Sequence, residues 1–478
     1  MEFDLTKPHC FYFNEIAKIP HGSNNEKGLS DYLVTFAQTR GLAFKQDDMF
    51  NVIIYKPATE GYQQAKPLMI QAHMDMVCEK NKDSDHDFMK DPLKLKVEDG
   101  ILRADKTTLG ADDGTGVAYM LAILDDDNLP HPPLECVFTV QEETGLYGAM
   151  NLKAEDISAH RMISLDGGGE TNTLLSSAGG CRDRVVKQLR FMANEDKTYQ
   201  LSVLGLLGGH SGGEIHKEKG NANKLVMRII KEALIKEADI NLVSYNGGLK
   251  ENAIPREADV VFTSVTPMSS LNKLFFESVT DIKTELEFSD PGFKIEFKEV
   301  AQASQKIERK ISDELVNLVY LLPNGFKARS MAIENLTLTS LNLGVVTTSD
   351  DQIELAISIR SALKSGIENL IREIACLCET FKATYSIHAF YPGWNYSEVS
   401  PMREALTDVV KDIYDQDLEL IAAHGGCECG VFKAMYDDMD IVSIGPKTRF
   451  IHTPDEELDL ASFDRTYKLL TTFVSACK

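Results

Sequence analysis

Five groups of residues have the types and spacing to do chemistry: His73-Met-Asp75, Gly110-Ala-Asp112-Asp113-Gly114, Glu142-Glu143, Asp166 and His452. Each has an ordinary structural explanation when taken singly. An acidic pair is usually a solvated turn, an Asp after a strand usually caps a helix, and a lone His usually sits satisfied on a surface or in a core. Together they form a different set. Imidazole nitrogens and carboxylate oxygens in this number are the donors that two Zn²⁺-type ions require, with one carboxylate bridging metals ~3.5–4 Å apart.

These residues need elements that deliver them to one place. Pro67 to Ala72 is a short apolar run that ends at His73. Leu134 to Gln141 ends at Glu142-Glu143, and Met162 to Leu165 ends at Asp166. A further strand is expected at Asn51 to Tyr55. Leu29, Tyr32, Leu33 and Phe36 recur at helical spacing before Gly41, which predicts a helix over 26–40 closed by a glycine at C′. Val117, Met120, Leu121 and Leu124 form another helical stripe just after Asp112-Asp113. Alternating strands and helices of this kind predict a mostly parallel sheet flanked by helices, with ligands gathered at the carboxyl ends of the strands.

From about residue 183 the pattern changes. Ile353, Leu355, Ile357 and Ile359 alternate with Glu354, Ala356, Ser358 and Arg360, and helical stretches such as Leu225 to Leu234 intervene. This is the pattern of an antiparallel sheet with one covered face, an α+β domain. The α/β style resumes near Tyr391-Pro-Gly-Trp394, with a helix through Val409, Val410 and Ile413, a strand at Ile441 to Ile444 and a helix from Leu460 to Val474. The expected organisation is a catalytic α/β domain formed by 1–182 plus 391–478, interrupted by an inserted domain over 183–390.

The chain has 478 residues, 43% hydrophobic and 26% charged, which predicts a globular protein of two or three domains. Fifty Lys and Arg against 73 Asp and Glu give a net charge of -23, a field that repels phosphate backbones and anionic headgroups, so neither nucleic acid nor membrane is expected as a partner. The opening MEFDLTKPHC has no apolar signal core, and no apolar run approaches the ~18 residues of a membrane span. Nine cysteines without a tight framework read as reduced thiols, and a cytosolic location is expected.

In chain order, His73-x-Asp75, Gly-Ala-Asp112-Asp-Gly, Glu142-Glu143-Thr-Gly, Asp166-Gly-Gly, Gly-Gly-His210-Ser-Gly and His452 resemble the motif series of the M20 metallopeptidases. Ile19 to Glu26, Gly209 to His216 and His424-Gly-Gly-Cys-Glu-Cys-Gly430 further resemble the aminoacyl-histidine dipeptidase (Xaa-His dipeptidase, peptidase D) branch. The resemblance implies a zinc-exopeptidase type of catalytic domain with an inserted lid and dimerisation domain, a homodimer formed through that lid, against the alternative of a monomer whose lid covers its own site, and dipeptide substrates, Xaa-His and β-Ala-His among them. It assigns one metal to His73, Asp112 and Asp166, and a second to Asp112, Glu143 and His452, with Asp112 bridging before a cis peptide bond. Zn²⁺ is the expected ion, and Mn²⁺ or Co²⁺ fit the same donors.

Within that frame, Asp75 lies on the same side of an extended segment as His73 and reads as the carboxylate that orients the imidazole. Glu142, beside a ligand but not one itself, reads as the general base. His210 is implied as an oxyanion donor acting on domain closure, from the partner subunit. Arg360 suits a free C-terminal carboxylate, against the alternative of a solvated strand arginine. Asn252 is a candidate substrate contact, against a turn residue. Asp113 is expected to cap a helix, and His21, His131 and His216 to be structural. Spacing gives no role to His424, Cys427 or Glu428. Competing readings are an aminotripeptidase, an N-acyl-amino-acid deacylase, or a non-catalytic binding protein with this fold.

Overall fold

The computed structural model describes residues 3–478, which divide into two compact units. The first comprises the described residues up to Ser177, Gly393–Ala422 and Cys427–Lys478, and the second Ala178–Pro392 with Ala423–Gly426. The divisions fall a few residues from the expected 182/183 and 390/391, because the strand Gly179–Gln188 runs in the second unit's sheet from its first residue. The short return of 423–426 to the second unit has no signature in composition or periodicity.

In the first unit a six-stranded sheet runs in the order Ala43–Gln46, Val52–Lys56, Leu134–Thr139, Leu68–His73, Arg161–Ser164 and Asp440–Ser443. The last four strands are mutually parallel and the first two antiparallel, so the sheet is mixed with a parallel centre. Its inner strands Leu134–Thr139 and Leu68–His73 are buried at every residue, as continuous apolar runs covered on both faces should be. The helix Lys27–Thr39 buries Leu29, Leu33 and Phe36, and Gly41 beyond it has φ +66°, the left-handed conformation that glycine adopts without a Cβ penalty.

The helix Ala111–Asp125 departs from its expected single stripe. Every residue from Gly114 to Leu124 is buried, because the helix packs on the strand Leu68–His73 and against the helices Pro8–Ile16 and Leu460–Ala476. Tyr119 stacks on Phe463 with ring centroids 4.9 Å apart. Gly116 permits the close approach to the sheet, since a Cβ there would lie 2.7 Å from Leu165 Cβ and 2.9 Å from Ala72 Cβ. A separate four-stranded antiparallel sheet, in the order Thr448–Arg449, Glu457–Asp459, Ile101–Ala104 and Leu95–Glu98, ties the turn bearing His452 to the segment leading into Asp112.

The second unit has its own hydrophobic core beneath a nine-stranded antiparallel sheet. Its helices Ala222–Ile235, Met268–Glu285, Arg309–Leu321 and Lys364–Phe381 contribute Val226, Phe275, Leu315 and Ile367 to that core. In the strand Gln352–Ser361 the four alternating apolar residues are fully buried as expected. Ala356 and Ser358 on the opposite face are buried too, so that face is less open than alternation alone predicts. No helix among the described residues is long and apolar enough to cross a membrane.

Candidate active site

Parallel pairing explains why residues distant in sequence meet at one sheet edge. His73 is in register with Thr139 and Gln71 with Ser164, so the chain leaves three neighbouring strands on the same side, carrying His73, Glu142-Glu143 and Asp166. His73 is buried, and its Nε2 lies 3.2 Å from Asp112 Oδ1. The other oxygen of that carboxylate, Oδ2, lies 3.1 Å from His452 Nε2, which is also 2.8 Å from Glu143 Oε1. Donor atoms of His73, Asp112 and Asp166 all fall within 4.8 Å of one another, as do those of Asp112, Glu143 and His452. The two sets share Asp112, whose backbone departs from helical geometry and whose bond to Asp113 is cis.

The charge of this cluster bears on what it can hold. Among the described residues, imidazoles alone form ion pairs with Asp75, Asp112 and Glu143, and no Lys or Arg does so. Burial, reinforced by Asp112, pushes the Asp166 carboxyl well up. Burial also pushes Glu142 well up, with Glu428 and Glu143 adding and His73 opposing. Hydrogen bonds to Asp112 and Glu143 raise His452 to about 10. Converging carboxylates without a basic partner, met by two imidazoles, are the donor chemistry of divalent cations, and the residues present fit them.

Asp75 does more than face His73. His73 Nδ1 lies 3.0 Å from the backbone oxygen of Asp75 and 3.6 Å from its Oδ1, so the carbonyl is the closer partner. The carboxylate accepts the backbone N–H of Glu142 at 3.0 Å and of Glu143 at 3.4 Å, along with the Ser23 hydroxyl at 2.7 Å. It therefore bridges the His73 strand to the turn carrying the glutamates. Asp113 accepts the Gly116 N–H at 3.1 Å, as a helix cap does. His21 and His131 are buried, with ring nitrogens 2.6 Å from the Ile19 carbonyl and 2.7 Å from the Pro132 carbonyl.

Glu456 was not singled out by sequence. Its buried carboxylate accepts the N–H groups of Leu109, Gly110, Ala111 and Asp112 at 2.7, 3.1, 2.9 and 3.4 Å, and so holds the segment that presents Asp112. The available signal is its place four residues after His452, which only the fold brings to Asp112.

A second cluster lies within the second unit. The two-residue ladder Gly209–His210 with Ala253–Ile254 places His210 opposite Ala253, and the Asn252 carbonyl accepts the Ser211 N–H at 2.9 Å. His210 Nδ1 accepts the N–H groups of Gly213 at 3.1 Å and Gly212 at 3.3 Å. In the neutral ring that leaves the proton on Nε2, free to donate. Burial, then the positive charge of Arg360, lowers the His210 pKa and favours that form. Arg360 donates to the Tyr391 hydroxyl at 3.3 Å, while its buried Nε has no protein partner. His424, 2.7 Å from the Ser340 hydroxyl, is lowered to about 3 by burial and by Arg360.

Comparison with known proteins gives this geometry a family. Residues 69–476 match peptidase family M20/M25/M40. The chain belongs to that family. It is 36% identical over 467 residues to the cytosol non-specific dipeptidase of Escherichia coli strain K12, an alignment that covers 96% of this chain and 95% of the relative. The crystal structure of aminoacylhistidine dipeptidase from Vibrio alginolyticus superimposes with a TM-score of 0.93 at 34% identity, covering 100% of this chain and 98% of that one. Aminopeptidase PepT from Bacillus cereus, with a TM-score of 0.57 at 16% identity over 100% of both chains, shares the fold. The resemblance carried by the ordered motifs, and the α/β organisation with an inserted domain, are thus borne out. An M20 metallopeptidase binds divalent metal.

Proposed function

We propose that this chain is a metal-dependent dipeptidase that hydrolyses the peptide bond of unblocked dipeptides, Xaa-His and β-Ala-His among them, in the cytosol. The observation that carries the reading is the pair of donor sets, His73, Asp112, Asp166 and Asp112, Glu143, His452, that share the two oxygens of one carboxylate. End-to-end similarity to two dipeptidases supports the substrate class.

In this reading the two sets hold two divalent ions, Zn²⁺ foremost, which when bound acidify the attacking water and polarise the scissile carbonyl. Glu142 accepts the proton of that water and returns it to the leaving amine, and its raised pKa suits a group that must take up a proton and give it back. Asp75 holds both the His73 ring and the Glu142-Glu143 backbone in place. His210 donates Nε2–H to the oxyanion, from the partner subunit of a homodimer formed through the inserted unit. Arg360, with its partnerless Nε, receives the free C-terminal carboxylate, and Asn252 lies beside His210 to contact the substrate backbone.

The test is initial-rate hydrolysis by metal-loaded protein of a panel containing Xaa-His, β-Ala-His and other dipeptides, tripeptides, and N-acyl amino acids. Dipeptides should be cleaved with the highest kcat/KM. Preference for tripeptides or for N-acyl amino acids would replace the reading with an aminotripeptidase or a deacylase, and no hydrolysis at all with a binding protein.

A further inference from the structure

The segment His424 to Gly430 contains one charged side chain that the mechanism above does not use. Glu428 opens the helix Glu428–Met435, and the residue is 2% exposed. Oε2 accepts the Gln71 side-chain amide at 2.5 Å and the Thr139 hydroxyl at 2.6 Å, while Oε1 is buried with no protein partner. Side chains alternate along a strand, so Gln71 lies on the face that carries His73, and the parallel register sets Thr139 beside His73. The Glu428 carboxylate therefore rests on the face of the sheet that carries His73, held between Gln71 and Thr139. It also ties together the ends of the two strands that lead into His73 and into Glu142-Glu143.

A buried carboxylate that meets only neutral donors is costly unless a cation lies near. Among the described residues no Lys, Arg or His is ion-paired with Glu428, and the helix terminus it occupies compensates only part of a charge. Resting on the reading that His73 and its partners hold divalent ions, we infer that Glu428 is a buried counter-charge of the metal centre. It touches neither substrate nor metal; it is a positioning residue whose negative charge raises the affinity of the centre for divalent cations.

The experiment is chelator competition with Zn²⁺ or Mn²⁺ on the metal-stripped full chain, together with thermal midpoints before and after loading. E428Q keeps the shape and removes the charge. It should bind metal about 10- to 100-fold more weakly than wild type, the range typical of groups that support metal ligands from behind. Its metal-free midpoint should be no lower than wild type, and its rise on loading smaller. T139V removes one hydrogen bond and leaves the charge, so it should weaken binding less than E428Q. Metal affinity of E428Q within twofold of wild type, equal losses in E428Q and T139V, or a metal-free E428Q that does not fold would each overturn the inference, as would a wild-type chain that binds no divalent cation. If loaded wild type binds metal yet cleaves no dipeptide while E428Q still shows the weakened affinity, the proposed activity falls and the counter-charge stands.

Discussion

The two units gather opposite kinds of polar group. In the first, Asp75, Asp112, Glu142, Glu143, Asp166 and Glu428 converge where, among the described residues, no Lys or Arg is ion-paired with them and the ion-pairing partners are His73 and His452. In the second, His210, His424 and Arg360 cluster, the imidazoles pushed toward neutrality by burial and by the guanidinium. The first surplus is negative and calls for cations; the second offers N–H donors with an unsatisfied Arg360 Nε and calls for an anion or an oxyanion. A peptide being hydrolysed presents both needs, an attacked carbonyl that becomes an oxyanion and a free carboxylate one residue away. Under the proposed function the first unit supplies proton transfer and metal ligation and the second anion recognition, so the contrast in polar groups is also the division of roles that the proposal predicts.

Metal removal should break the first half of this contrast most completely. Chelation ought to abolish hydrolysis, re-addition of a divalent ion ought to restore it, and elemental analysis should find two ions per chain; full activity with one ion or none refutes the shared role of Asp112. E142A comes next, with kcat expected to fall ~10²–10⁴-fold while metal content is unchanged, since the base is removed and the ligands are not. Loss of metal in that variant would make Glu142 a ligand instead.

The second half is probed by H210A, for which kcat should drop roughly 10²–10³-fold with KM within a few-fold and metal retained, as for a donor acting in the transition state. Mixed dimers of E142A and H210A chains sharpen this: one site would regain both groups, restoring up to about half the wild-type activity if the donor comes from the partner. Demonstrably mixed dimers without rescue would put His210 to work in its own chain. R360A should raise KM about 10-fold for free dipeptides and leave the corresponding dipeptide amides unaffected, in line with loss of a hydrogen bond to a charged group. An equal effect on amides would make Arg360 structural. The smallest effect is expected for Y391F, about threefold in KM, because one long hydrogen bond to Arg360 is removed.

Much of this was legible in the amino-acid sequence. Short apolar runs that stop at His73, Glu142 and Asp166 predict strands and strand ends, and those strands are the parallel centre of the first unit's sheet. Alternation through Ile353 to Ile359 predicts the antiparallel style of the second unit, and Gly41 closes its helix as predicted. The order of the motifs carries the family. Such features are local: side-chain periodicity of two or 3.6 residues and the conformational freedom of glycine act over a few bonds and leave their mark in neighbouring residues.

Tertiary structure alone decided the rest. Whether the helix Ala111–Asp125 is half or wholly buried depends on the helices Pro8–Ile16 and Leu460–Ala476 closing over it from opposite ends of the chain. The grip of Glu456 on Leu109 to Asp112 spans more than 340 residues, and that of Glu428 on Gln71 spans 357. The preference of His73 Nδ1 for the Asp75 carbonyl over its carboxylate is likewise a matter of packing. Donors and acceptors of this kind have no periodicity to announce them. A buried carboxylate is fixed by which backbone or side-chain groups the fold leaves needing a partner, and that need exists only once the strands and helices have come together.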